Sequence, residues 1–209
     1  MKLDSRIIDV IKKSVNIYDP DKKLTAEDLK SLKRLKLSNR VKGESESDIS
    51  LVGLGKLGMI EHLSLTGFTL GESELDEIAS IKMLKSIALN DCRGGVIDLP
   101  NLEKVSIAGG EFESVLFDKL PKEYIIENYK GEDVFRYIDA YDSSSLNGLT
   151  LINCKVHSID GFNDLSGMKR LAIYGSMLPD NSKSALDELE RNGITIVNQE
   201  HYKPVLEDR

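Results

Sequence analysis

The stretch Leu149-Thr150-Leu151-Ile152-Asn153-Cys154-Lys155-Val156-His157-Ser158-Ile159-Asp160-Gly161-Phe162-Asn163-Asp164-Leu165-Ser166-Gly167-Met168-Lys169-Arg170-Leu171 decides the fold. Its apolar frame runs Leu149, Leu151, Cys154, Val156, Ile159, Phe162, Leu165, Met168, and restarts at Leu171, 22 residues on. That interval is far longer than the 3.6 residues of a helical turn or the 2 of a strand, so what repeats is a supersecondary unit. Leu149 and Leu151 are expected to point inward from a short strand, with Cys154 and Val156 in the turn after it. The residues from Ile159 to Met168 then close the unit on its far side. Burying each such side chain stabilises by roughly 1.5–3 kcal/mol, whereas ordering one residue costs on the order of 1.5 kcal/mol. One unit therefore does not stand alone, and neighbours must cover its faces.

The same frame finds other units. Leu35/Leu37 opens the series after Leu29 and Leu32; Leu63/Leu65 follows Leu51, Leu54, Leu57 and Ile60, and Ile87/Leu89 follows Leu75, Ile78, Ile81 and Leu84. Val105/Ile107, Leu149/Leu151, Leu171/Ile173 and Ile194/Ile196 come next. Between Val105 and Leu149 lie 44 residues, twice 22, so a degenerate unit is expected there, with Tyr124/Ile126 as its strand. Eight units result. Their intervals are uneven, from 28 residues between Leu35 and Leu63 to 18 between Ile87 and Val105. The excess in the first is the polar run Lys42 to Asp48, a solvated loop whose closure entropy grows only logarithmically with length.

This pattern resembles the leucine-rich-repeat superfamily, and the 22-residue unit with its Ile159-Asp160-Gly161-Phe162 segment is similar to the internalin-like bacterial class. The resemblance covers about Leu24 to Asn198 and implies an α/β curved solenoid with a parallel sheet on its concave face. It also implies a binding role, with a partner protein held on that concave face. The small-polar slot, usually Asn in the family, is Cys92 and Cys154 in two units but Arg40, Phe68, Gly110, Tyr129 and Ser176 elsewhere.

Terminal units expose an apolar face unless capped. Ile7, Ile8, Val10, Ile11 and Val15, with charges between them, make Asp4 to Ile17 an amphipathic helix suited to that task. Thr25-Ala26-Glu27-Asp28 reads as a variant capping box. Asp180 to Asn192 is a helix with Ala185, Leu186 and Leu189 on one face and Gly193 at the stop position, and the polar stretch from Gln199 is expected to fray. The expected organisation is a single domain over 1–209, with a helical cap at 1–28, repeats at 29–178, and a helix-strand cap and tail at 179–209.

With 28 basic against 35 acidic residues, a net charge of −7 and no basic tract, nucleic acid is not an expected partner. Charges at Asp4, Arg6, Asp9, Lys12 and Lys13 interrupt the only apolar run near Met1, and there is no 18-residue apolar stretch. No membrane association is therefore expected, and the compartment is expected to be the cytoplasm. Cys92 and Cys154 lie three units apart, roughly 14 Å at one strand spacing per unit, beyond disulfide reach. They are expected to be reduced core thiols.

The rival motif is Gly53-Leu54-Gly55-Lys56-Leu57-Gly58, a literal G-x-G-x-x-G after the strand-like Ile49 to Val52. As a dinucleotide-binding enzyme, the chain would bring backbone amides near Gly53, Gly55 and Gly58 to a pyrophosphate and Glu72 or Glu74 to a ribose. Against this, Leu51, Leu54, Leu57 and Ile60 are consumed by the repeat frame. Asp19 to Leu24 begins like a calcium loop, but Lys23, Leu24 and Lys30 occupy positions that need an oxygen ligand, Gly and Glu. His62, His157 and His201 are scattered, with no i, i+4 pair. No catalytic residue, metal or cofactor is expected.

What remains is surface. Residues flanking the inward strand positions face out of the sheet: Arg34, Lys36, Ser38, His62, Ser64, Thr66, Ala88, Asn90, Lys104 and Ser106 in the first half, mixed and mostly small. In the second half they are Ile125, Thr150, Ile152, Ala172, Tyr174 and Val197, distinctly apolar, and an aligned exposed apolar patch marks an interface. These six are the expected protein-binding residues. An unknown partner protein is the expected occupant, with a second copy of the chain as another, and an immunity-type inhibitor or regulator of one cognate bacterial enzyme is the alternative function.

Overall fold

The computed structural model describes residues 3–39, 49–131 and 133–199; the expected loop Lys42 to Asp48, the slot residue Arg40 and the tail beyond Gln199 lie outside them. In chain order the described elements are α1 (Ser5–Ser14), α2 (Ala26–Lys30), β1 (Arg34–Ser38), β2 (His62–Thr66), β3 (Thr69–Leu70), α3 (Glu72–Ala79), β4 (Ser86–Asn90), β5 (Arg93–Leu99), β6 (Lys104–Ala108), β7 (Glu111–Lys119), β8 (Glu123–Glu127), β9 (Asp139–Asp142), β10 (Gly148–Ile152), β11 (Arg170–Tyr174), α4 (Ser182–Arg191) and β12 (Thr195–Gln199). Single 3-10 turns at Leu54–Lys56, Val134–Tyr137 and Asp160–Asp164 complete them. The fold is mixed α/β, dominated by parallel sheets.

Eight strands form one sheet in the order β1-β2-β4-β6-β8-β10-β11-β12, each parallel to its neighbours. The register carries one apolar row through Leu35, Leu63, Ile87, Val105, Tyr124, Leu149, Leu171 and Ile196. From Leu35 to Leu171 every member of that row is buried. Tyr124 fits the row because its hydroxyl donates to the Tyr137 carbonyl at 2.5 Å, which satisfies the one polar atom it brings inside. The last strand departs from the sequence frame. Ile196 stands opposite Leu171 and Asn198 opposite Ile173, so Ile194 is not a strand residue. The cause is the end of α4: Gly193, at φ +88°, donates to the Glu190 carbonyl and Ile194 to that of Leu189, so the chain leaves the helix two residues later than the frame assumes.

A second, four-stranded parallel sheet, β3-β5-β7-β9, is formed by the return segments and was not expected. Its inward residues Ile97, Leu99, Val115 and Phe117 join the same apolar cluster as the large sheet, and Phe117 meets the ring of Tyr124 edge-on at 5.4 Å. This explains the uneven intervals. An extended return gains about 3.3 Å per residue and a helical one 1.5 Å, so the 18 residues from Ile87 to Val105 return through β5, while the 24 from Leu63 to Ile87 hold α3.

The caps follow their local chemistry. Asp4 accepts from the Arg6 amide at 2.9 Å to start α1, and Ile7 and Ile11 are fully buried under it. Thr25 and Asp28 form a reciprocal capping box at 3.2 and 2.9 Å. On α4, Leu186 and Leu189 are buried. Cys92 and Cys154 are free, buried thiols whose sulfurs reach back to the carbonyls of Leu65 (3.5 Å) and Ile126 (3.3 Å) on preceding strands, and burial pushes both above the usual thiol range.

Leu89 and Leu151, both fully buried in the large sheet's inner face, are expected to cost ~2–5 kcal/mol each on truncation to Ala, by lost transfer energy plus a residual cavity. Denaturant melts of the two variants measure this. A loss below about half a kcal/mol at both sites is incompatible with the register above.

Candidate functional site: the outer face of the eight-stranded sheet

Side chains alternate across a strand, so the register that buries one set of residues builds three rows on the opposite face. The first runs Arg34, His62, Ser86, Lys104, Glu123, Gly148, Arg170 and Thr195; the second Lys36, Ser64, Ala88, Ser106, Ile125, Thr150, Ala172 and Val197; the third Ser38, Thr66, Asn90, Ala108, Glu127, Ile152, Tyr174 and Gln199. All six expected binding residues stand in these rows, adjacent as expected.

Their exposure is not as expected. Ala172 is 0%, Ile152 4% and Thr150 7% accessible, while Ile125, Tyr174 and Val197 are half-buried. Thr150 and Ala172 are short side chains in the middle of a row, with Ile125 and Val197 on either side. Cross-strand Cβ atoms lie only about 4.5–5.5 Å apart, close enough for longer neighbours to shield shorter ones. Ile152 and Ala172 are buried without belonging to the main apolar cluster. Of the expected apolar patch, Thr150, Ile152 and Ala172 are thus buried, and Ile125, Tyr174 and Val197 are what this half partly presents.

The first four strands differ. Arg34, Lys36 and Lys104 are exposed, and Ser64, Ser86, Ala88 and Ser106 are small enough to leave a concavity of about 440 Å³ across β1, β2, β4 and β6. His62 Nδ1 and Ser86 Oγ are hydrogen-bonded at 2.7 Å in its floor. At one rim Glu61 holds both Lys33 (2.8 Å) and Lys85 (2.6 Å), and those two ammonium groups lower its carboxyl to about 2.

The glycine motif has a structural use. The Gly53 and Gly55 amides donate to the Glu77 carboxylate of α3 at 2.9 and 3.1 Å, so the donors that a pyrophosphate would need are already engaged. Residues 49–52 form no strand, and only a single 3-10 turn follows. A Cβ on Gly55 would lie 1.6 Å from Ser80 Oγ and 2.8 Å from its Cβ; the glycine lets α3 approach. Among the described residues no cluster of metal-ligating side chains occurs, and no helix is long and apolar enough to cross a membrane.

No protein-family model matches the chain, and comparison with curated proteins gives no match.

Two outcomes follow from these contacts. Gly55→Ala is expected to destabilise by about 1–3 kcal/mol through overpacking, with most of the loss recovered in Gly55→Ala/Ser80→Gly, read by denaturant melts; a neutral single variant contradicts the close approach. Glu61 has a folded pKa of about 2 against an ordinary 4.5, so its stabilising effect is present above about pH 4.5 and is lost as pH falls toward 2. The stability difference between the unaltered chain and Glu61→Gln is expected to shrink over that window. A difference that stays constant from about pH 6 to 2 would mean that the two lysines do not hold the carboxylate in solution.

Proposed function

We propose that the chain is a leucine-rich-repeat solenoid of the binding class, which holds a partner protein on the outer face of its eight-stranded sheet and performs no catalysis. The observation that carries this reading is the concavity across β1, β2, β4 and β6, lined by side chains from four successive strands at the parallel-strand spacing. Recognition surfaces are usually pre-formed, and a face whose backbone is fixed by ladder bonds on both sides loses little order on binding. Further support comes from the in-order parallel strands, the 22-residue unit and the capping helices, which together are what a stack of repeats requires. The glycine motif is absorbed into packing and leaves the dinucleotide reading without support.

The test is site-specific photo-crosslinking in the cell that makes the protein, with the reactive group at Ser64 or Ser106 on the outer face and at Asp98 or Glu113 on the second sheet. Adducts to a protein from the first pair alone are expected. Adducts only from the second pair, or none from any position, would sink the proposal.

A further inference from the structure

The charge on the outer face is segregated. The twelve row positions contributed by β1, β2, β4 and β6 include Arg34, Lys36, Lys104 and His62 and not one carboxylate, in a chain whose acidic residues outnumber its basic ones by 35 to 28. Several cations along the same strand ends are ion-paired: Lys33 and Lys85 with Glu61, Lys122 with Glu103, Arg170 with Glu123. Among the described residues no carboxylate lies within ion-pair distance of Arg34, Lys36 or Lys104. Around this concavity Glu103 is the one carboxylate among the described lining residues, against Arg34, Lys36, Lys85 and Lys104, so the described lining is cationic on balance in an otherwise acidic protein, and a field of that sign selects and steers an anionic ligand.

Spacing narrows the ligand. Arg34 and Lys104 stand three strands apart, roughly 14 Å between their backbones at about 4.8 Å per strand, and side chains that stand roughly perpendicular to a sheet keep about that spacing at their charged ends. An extended peptide rises about 3.3–3.4 Å per residue, so carboxylates at i and i+4 are separated by about the same 14 Å and lie on one side of it. The small floor at Ser64 and Ser106 leaves room for its backbone and offers hydroxyls to it. Single-stranded nucleic acid is the lesser fit, because it calls for several aromatic platforms, and the residues lining this concavity include no Phe, Tyr or Trp, only the His62 imidazole, which is hydrogen-bonded to Ser86.

We propose that this half of the sheet receives an extended acidic segment of the partner protein, crossing the strands with carboxylates on Arg34 and Lys104 and with Lys36 beside them. The proposal rests on the sheet-face reading above and adds the chemistry of the occupant.

The experiment is fluorescence anisotropy on the full chain with a short labelled peptide alternating Glu and Ser, its Gln-Ser counterpart, and a labelled single-stranded oligonucleotide. The Glu-Ser peptide is expected to bind, with affinity falling as salt rises, and to bind about tenfold more weakly to Arg34→Glu/Lys104→Glu. Lys82→Glu/Lys183→Glu, which changes two exposed cations away from the face, is expected to leave binding unchanged. Arg34→Gln/Lys104→Gln serves where the reversal variant fails to fold, as read by its thermal melt. No binding of the Glu-Ser peptide, equal binding of the Gln-Ser peptide, equal loss in the control variant, or tighter oligonucleotide binding lost in the same variant overturns the proposal. Ser64 crosslinks that survive Arg34→Glu/Lys104→Glu overturn the acidic segment and leave the sheet-face reading standing, whereas absence of outer-face crosslinks in the unaltered chain overturns both.

Discussion

In-register parallel pairing of short strands is the constraint on which everything else depends. Leu35, Leu63, Ile87, Val105, Tyr124, Leu149 and Leu171 are buried side by side because their strands pair without a slip. A shift of one residue in any strand would turn its apolar pair to solvent and its polar neighbours into the core. The buried thiols of Cys92 and Cys154 fit this register locally, each sulfur lying within weak hydrogen-bond reach of a carbonyl on the preceding strand. The second sheet extends the same constraint to the far side, where β5 and β7 pair over most of their length and close the core around Phe117 and Tyr124.

The strand positions were legible because the pair of apolar residues two apart recurs with the unit, and burial leaves little choice of residue there. Even the degenerate strand at Tyr124/Ile126 was found, by counting twice 22 residues, although only the Tyr124–Tyr137 hydrogen bond explains how a phenol is accommodated. The second sheet was not legible. Arg93-Gly94-Gly95-Val96 carries no apolar alternation, and the pairing of β5 with β7 joins residues 18 apart that no local pattern links. The last strand was misplaced by two residues because Ile194 and Ile196 satisfy the frame equally well as letters, while the end of α4 retains Ile194.

For the outer face, the sequence identified which residues stand there and misjudged what they present. Periodicity gives direction, and burial depends also on surroundings: Ala172 points away from the core between Thr150 and Val197 yet is inaccessible. The cationic half had a visible signal, the absence of any Asp or Glu among ten outward positions of the first half. That signal became informative only once the register placed Arg34 and Lys104 in one row and the ion pairs showed where the other cations are neutralised. The glycine motif inverts the lesson. Its letters match a phosphate-binding loop, and its amides do bind an anion, but that anion is the Glu77 carboxylate of the chain itself.

Core and outer face are written on the same strands with the same period of two, so they cannot vary independently. Lys36 lies between Leu35 and Leu37, and Ser64 between Leu63 and Leu65; any register that buries the leucines also sets the lysine and the serine in adjacent columns at one strand spacing. A surface built in this way takes its dimensions from backbone hydrogen bonds and not from loop conformation. The backbone separation of Arg34 from Lys104 is therefore as fixed as the core, even though their exposed side chains keep their own freedom. Outward residues of such a face can be substituted one row position at a time without disturbing the leucines beneath it. What it cannot easily do is alter the spacing, since that would need a strand inserted or removed and the apolar rows on both sides rebuilt.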